Sequence, residues 1–352
     1  MARPWLAAAP CVLLLLFLSD QAAERVLRRE QALAFEYEGD RGDGQRRGLI
    51  PALRAFLVQV WLVRIDAGLR AGRPYEALRL SREVLAMAPD LPAARLRLSD
   101  ILAYQVAPLE SEPDRQLAWI GEALSILDEG LLRSPGSSLL HTGRGFLIWF
   151  RGSVLPEFER AFRRTHGQST LEAGVESLVR GAELARGRWR AVRAASVGLM
   201  RRGDWYLEQA RDGALGSLER AGRDYEQAAA FLRELILFSG FTRPALQIDL
   251  ALAEACLQET RFEQARRAGE PVDGRSLLER VRAVRQALRE GPELPSGRVR
   301  LGRILAELLA PLESDPDARR ERIQEAVEIL DEGLAREPDN ALLLAERARF
   351  HD

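Results

Sequence analysis

Catalysis needs side chains that can move protons, attack carbon or hold metals, and this chain of 352 residues carries few of them: three His and two Cys. His141 falls early in a helical stretch after Pro135, His166 sits in the turn-like Thr165-His166-Gly167, and His351 is the penultimate residue. No two share the local spacing of zinc ligands, and a nucleophile–base triad needs a placed His that none of these positions offers. Cys256 lies among Leu252, Ala253, Ala255 and Leu257, the company of a small buried hydrophobe rather than of an activated thiolate. All 51 basic residues are Arg. Without Lys there is no phosphate-loop lysine and no Schiff base. What is left for chemistry is scattered Asp and Glu, which can work as paired acid and base. A carboxylate-based enzyme is therefore the one catalytic alternative; the expectation is no enzyme, no cofactor and no metal.

Two surface features invite a binding reading. The acidic loop Glu110-Ser111-Glu112-Pro113-Asp114 returns as Glu313-Ser314-Asp315-Pro316-Asp317. It has the carboxylates of a cation loop but no central Gly, and Ser, Asp and Glu before Pro also read as a helix start. The second feature is aromatic: Phe146, Trp149 and Phe150, with Phe146 and Trp149 three apart on one helix face. Core packing is one reading of these rings and an apolar groove the other.

The acidic loop repeats because a larger unit does. Residues 76–147 align without a gap on 279–350, and 34 of the 72 pairs are identical. Ile101-Leu102-Ala103 returns as Ile304-Leu305-Ala306, Ala107 to Ser111 as Ala310 to Ser314, and Ile126 to Leu131 as Ile329 to Leu334. Repetition on this scale marks a stacked array whose units bury apolar faces on one another.

The elements of the array read as helices. In 113–133, Leu117, Ile120, Leu124, Leu127 and Leu131 are spaced 3, 4, 3, 4, one stripe along a helix. Pro113 opens it and Pro135 follows its end. No alternating strand pattern appears. The helices come in hairpins: an apolar stretch from Ala55 to Ala71, a break at Gly72-Arg73-Pro74, a second helix from Tyr75 to Ala88, and Pro89. Trp61, Gly72, Ala77 and Pro89 fall at the spacings of a tetratricopeptide repeat, which the chain resembles over about two thirds of its length. The motif is incomplete, with Arg64-Ile65 for Leu-Gly, Gly68 for Tyr and Ser81 for Phe. The resemblance implies a small Ala at helix crossings, at Ala77, Ala123 and Ala326. Each duplicated unit also carries an extension, around Pro108 to Leu117 and Pro311 to Arg320. Between the copies, 155–243 reads as degenerate hairpins with longer helices, with turns expected at Gly203-Asp204-Trp205 and Gly222-Arg223-Asp224-Tyr225-Glu226.

The start of the chain reads as an export leader: Arg3, then an apolar run from Trp5 to Leu18, short of the roughly 20 residues that span a bilayer comfortably. The cleavage context is weak, so an uncleaved anchor through residues 5–18 stays open. Arg25, Arg28 and Arg29 hint at the cytoplasmic-facing orientation. Cys11 follows Pro10 inside the run, which does not suit lipidation. Net charge is −1, which argues against nucleic acid as a partner. Abundant Ala, Leu and Arg without Lys fits a GC-rich bacterial genome.

These readings combine into an all-α, tetratricopeptide-like solenoid of helical hairpins. The expected parts are a leader or anchor over 1–23, hairpins over 24–150, degenerate hairpins over 151–243 and the second copy over 244–352. The expected function is a non-enzymatic scaffold, periplasmic or inner-membrane-anchored, binding a protein or peptide on a concave helical surface near Tyr104 and Trp149. A structural, self-assembling envelope component is the alternative. It would act through the open end from Leu342 to Phe350, where Leu343 and Phe350 are the contact candidates and a homo-oligomer would result.

Overall fold

A computed structural model describes residues 49–350 except 186, 215, 240–242, 273, 292 and 293. The leader expected over 1–23, with its apolar run 5–18, lies outside the described residues. The described chain is helical throughout and contains no strand. In order, the helices are α1 (Leu49–Arg70), α2 (Pro74–Met87) and α3 (Pro92–Asp100), which runs on into a π-helical turn (Ile101–Val106) and a 3-10 turn (Ala107–Leu109). Then come α4 (Pro113–Arg133), α5 (Ser138–Val154), α6 (Pro156–His166), α7 (Thr170–Leu184), α8 (Trp189–Arg211), α9 (Ser217–Ser239), α10 (Pro244–Ala268) and α11 (Gly274–Glu290). The last are α12 (Pro295–Arg303), a second π-helical turn (Ile304–Leu309), a second 3-10 turn (Ala310–Leu312), α13 (Pro316–Leu334) and α14 (Ala341–Arg349). Among the described residues no helix is long and apolar enough to cross a membrane.

Local chemistry sets these boundaries. Pro opens α2, α3, α4, α6, α10, α12 and α13, where its missing N–H costs nothing. Gly72 turns the chain between α1 and α2 at φ 68°, a left-handed conformation that other residues resist. Ser169 and Glu172 form a reciprocal capping box at the start of α7. The acidic loops do act as helix starts: the Asp315 carboxylate accepts from Asp317 N–H, though Glu112 makes no side-chain cap.

The duplication is carried into three dimensions element by element. The π-helical and 3-10 turns recur at an offset of 203. The extensions expected around Pro108 to Leu117 and Pro311 to Arg320 fall on the end of the 3-10 turn, an extended residue at Glu110 or Glu313, and the first turns of α4 or α13. The π-turns just before them insert extra backbone without breaking the helix. Ala77, Ala123 and Ala326 are all fully buried. Ala77 Cβ sits 3.8 Å from where a Cβ on Gly68 would lie, so α1 and α2 cross on small residues.

The chain divides into two compact units between His141 and Thr142. In the first, α1 packs with α2, and α3 with its π-turn packs on α4. Ile101, Leu102, Ile120 and Leu127 form its buried interior. The second unit has a core from α7 to α10, built on Leu178, Leu199, Tyr225, Leu232 and Cys256. It continues through α10 to α13 on Phe262, Leu277, Val281, Leu301 and Ile304.

Two expected turns are absent. Gly203-Asp204-Trp205 lies inside α8 and Gly222 to Glu226 inside α9, each an unbroken helix of 23 residues. Gly203 is there for packing. A Cβ at that position would meet the Tyr225 ring at 2.8 Å, so the missing side chain is the notch that lets α9 lie against α8.

Candidate binding cleft

Alternate helices of the second unit line a cleft of about 310 Å³. Along α8, Val197, Met200, Arg201, Asp204, Leu207, Glu208 and Arg211 recur at intervals of three and four, which puts them on one face. Helix α10 presents Asp249, Leu252, Cys256 and Glu259, and α12 presents Ser296, Val299, Arg300 and Arg303. Leu294 and Leu342 complete the apolar wall.

The floor of the cleft is an ion network around Arg300. Its Nε donates to Glu259 Oε2 at 2.7 Å, Nη2 to the Tyr225 hydroxyl at 3.1 Å, and Nη1 to Asp204 Oδ1. Tyr225 in turn donates to Asp204 Oδ1 at 2.6 Å. Glu259 and Tyr225 are buried, with relative exposures of 1% and 0%. Burial opposes the charge on Arg300, yet the anionic groups around it outweigh that and hold the guanidinium firmly protonated. Burial pushes the Tyr225 hydroxyl well above its ordinary range and also pushes up the Cys256 thiol, so both stay protonated and Cys256 is no nucleophile. Burial raises the Asp249 carboxyl too, against the pull of Arg193, whose Nε donates to Asp249 Oδ2 at 2.7 Å.

The rim differs from the floor. Arg201 and Glu208 are exposed, line the cleft, and make no side-chain ion pair among the described residues. Arg211 has one long bond, to Glu259 at 3.4 Å. The cleft thus has satisfied charges at its base, apolar side walls, and opposite charges at its mouth. Such an arrangement can hold a polypeptide segment by shape and charge. Its two close carboxylates, Asp204 and Glu259, both spend oxygens on the same guanidinium. Among the described residues no group of three or more His, Cys, Asp or Glu is placed to hold a metal ion.

The residues singled out in the sequence lie elsewhere. Tyr104 sits in the π-turn of the first unit, half-buried. Trp149 belongs to the second unit and packs, half-buried, against the α7–α10 core. Leu343 was expected on an open apolar face, but it is fully buried against Val299 and Leu330; Leu342 and Leu344 beside it are about half exposed. Phe350 is half-buried, with its ring edge 3.4 Å from where a Cβ on Gly302 would lie. Phe146 and Phe150 do reach the surface, stacked at 5.7 Å with rings 6° apart. In the acidic loop, the Glu110 carboxylate accepts from Trp119 Nε1 at 3.0 Å and ties the loop to α4. In the copy, Arg322 stands where Trp119 does and meets Glu313 at 3.3 Å.

Sequence reasoning missed Asp204, Tyr225, Glu259 and Arg300. A signal did exist. Leu199, Gly203, Tyr206 and Ala210 keep the spacing 4, 3, 4 straight through the supposed turn, and Arg300 is one of the identical pairs of the two copies, with Arg97.

No family model and no curated relative matches the chain. Among solved structures it is similar to the S. pombe nuclear import adaptor Nro1 in two crystal forms. In the first, identity is 12%, the likeness covers 84% of this chain and 98% of the other, and the TM-score is 0.44. In the second the figures are 11%, 89%, 100% and 0.44. A likeness to the P58(IPK) TPR domain covers 84% of this chain and 88% of that one, at 15% identity and a TM-score of 0.22. At these scores the likenesses assign neither family nor partner, and the helical-hairpin architecture stands on the chain's own geometry.

Proposed function

We propose that this chain is a non-enzymatic protein-interaction scaffold that takes a segment of a protein or peptide into the cleft between α8, α10 and α12. The observation that carries this reading is the contrast between floor and rim. The inner charges are satisfied, while Arg201 and Glu208 have no ion-pair partner among the described residues and stand over the apolar wall of Val197, Met200, Leu252 and Val299. A binding surface built this way gives affinity through apolar contact and register through charge. Within the same reading, residues 1–23 export the chain to the periplasm or hold it at the inner membrane; a fusion of residues 1–60 to alkaline phosphatase is expected to be active, and an inactive fusion would point to the cytoplasmic orientation. The cleft is tested with a photo-crosslinking residue in place of Ser296, which lines it on α12, and a control at Glu219 on α9. A defined cross-linked partner at 296, absent at 219 and lost on reversing Arg201 to Glu, is expected. Equal labelling at both positions would sink the reading.

Self-assembly is the second reading. Leu342 and Leu344 are 48% and 47% exposed on α14, an apolar edge that another copy could cover. Sedimentation decides it: a strict monomer at high concentration removes it.

A further inference from the structure

Stacked helical repeats ordinarily touch only their neighbours, so each added hairpin is held by the one before it. Arg300 breaks this rule. From α12 it reaches Glu259 on α10, one hairpin back, and then Tyr225 on α9 and Asp204 on α8, a partner 96 residues earlier. The equivalent Arg97 of the first copy reaches Asp66 on α1, one hairpin back. The step from Arg97 to Asp66 corresponds to the step from Arg300 to Glu259; the counterparts of α8 and α9 in the first copy fall before residue 49, outside the described residues.

The surroundings of Arg300 are prepared for this reach. Gly203 leaves room for the Tyr225 ring, which brings the Tyr225 hydroxyl onto Asp204 at 2.6 Å. The guanidinium also lies over the Tyr225 ring, 5.8 Å from its centroid. Arg202 clamps Asp224 with two bonds of 2.8 Å, fixing α9 to α8 two residues from Asp204 and one from Tyr225. Three other arginines of the second copy pair within it: Arg298 meets Glu332, Arg303 meets Glu346 and Arg349 meets Glu307.

We infer that Arg300 is a latch: by bonding Asp204 and Tyr225 it fastens the block from α12 to α14 across the cleft to α8 and α9, and so fixes the width of the cleft. The inference concerns how the cleft is held and does not depend on what binds there. An array joined only hairpin to hairpin can open one hairpin at a time. A bond that skips a hairpin makes α12 to α14 open together with α8 and α9.

Hydrogen exchange on the full chain tests this without a partner. Arg300→Met alone strands Glu259 and Asp204, so a discharged variant is compared beside it: Arg300→Met with Asp204→Asn and Glu259→Gln, in which no buried charge lacks its counter-ion. In the discharged variant, amides of α12 to α14 are expected to exchange at least ~10-fold faster than in the natural chain, while those of α8 and α9 keep their rates. The same substitution in the first copy, Arg97→Met, should leave α12 to α14 untouched. Unchanged exchange in α12 to α14 overturns the latch. So does a uniform gain across 142–352, which would make the network a general part of the core rather than a fastening of α12 to α14.

Discussion

Arg95 and Arg298 stand 203 positions apart and make the same bond. Nη1 of each donates at 3.2 Å to a carbonyl 31 residues on, Ile126 and Ile329. Each then meets a glutamate three residues further, Glu129 or Glu332. Each lays its side chain against a glycine, with Cδ at 2.7 Å and 2.6 Å from where a Cβ on Gly130 and Gly333 would lie. Leu140 and Leu343 fill the other side of those glycines, both at 2.8 Å. A buried guanidinium thus ties the paired helices of each copy, and the glycines repeat because a side chain there would occupy its path.

The two bonds differ in surroundings, and so should their worth. Glu332 is 26% exposed and also held by Arg285 and Arg289, whereas Glu129 is 61% exposed. Burial resists ionisation of Glu332, but the bonds from Arg289, Arg285 and Arg298 win and bring its carboxyl down to about 2. Arg298→Ala removes a buried guanidinium bonded to Ile329 O and Glu332 while Glu332 keeps Arg285 and Arg289, so it is expected to destabilise by about 1.5–3 kcal/mol, and Arg95→Ala by less. Urea unfolding checks this. Because the folded pKa of Glu332 is depressed, its contribution is complete above the ordinary 4.5 and is lost as pH falls toward 2. The gap between natural chain and Arg298→Ala should therefore narrow in acid; a constant gap would mean that the loss is packing alone.

Gly72 and Gly203 illustrate what was legible in the sequence and what was not. Gly72 next to Arg73-Pro74 reads as a turn and is one, because Pro cannot extend the preceding helix and Gly takes the left-handed angle. Gly203 next to Asp204 has similar local chemistry but no Pro, and the apolar spacing runs on through it. The hairpin at Gly72, the duplication and the small alanines were legible because each is written locally; the π-turns at Ile101 and Ile304 were not, since nothing in the local residues distinguishes them from continuing α-helix. The cleft was not, since Arg300, Asp204, Tyr225 and Glu259 meet only through the stacking of three hairpins. Leu343 shows a related point: Leu342, Leu343 and Leu344 are alike in sequence, and only the packing of α14 on α12 and α13 turns Leu343 inward while its two neighbours stay exposed.

The two glycines should also respond differently to substitution. Gly203→Ala puts a methyl group within 2.8 Å of the buried Tyr225 ring and is expected to cost about 1–3 kcal/mol by overpacking. At Gly72 nothing lies within 4 Å, so Gly72→Ala costs only the strain of a positive φ, about 1 kcal/mol. Thermal unfolding of both variants measures the difference, and equal losses would contradict a packing role for Gly203.

Asp100 supplies a pH dependence of opposite sign to that of Glu332. Burial pushes its carboxyl up from 3.8 to about 6, with Arg97 pulling the other way. A folded pKa above the unfolded one means that the folded chain holds the proton more tightly. Stability from this group is complete below the unfolded value of 3.8 and is lost as pH rises through 6. Asp100→Asn removes the loss, so the variant should exceed the natural chain by about 1–3 kcal/mol at pH 7.5 and by little at pH 4. A variant less stable than the natural chain at pH 7.5 would show that ionised Asp100 makes a stabilising contact instead.

The last prediction concerns binding. If the mouth of the cleft sets register through Arg201 and Glu208, exchanging their charges with Arg201→Glu and Glu208→Arg should abolish cross-linking of the natural partner. Both side chains are exposed and have no ion-pair partner among the described residues, so the exchange leaves net charge unchanged and should alter stability by less than about 0.5 kcal/mol. Met200→Asp adds a charge to the apolar wall of the same cleft and should lose the partner as well. Phe146→Ser, on the stacked aromatic surface of α5, should not. The pattern separates the two surfaces. Loss with Arg201, Glu208 and Met200 but not Phe146 places the partner in the cleft. Loss with Phe146 alone moves the binding face to α5, and the cleft reading falls.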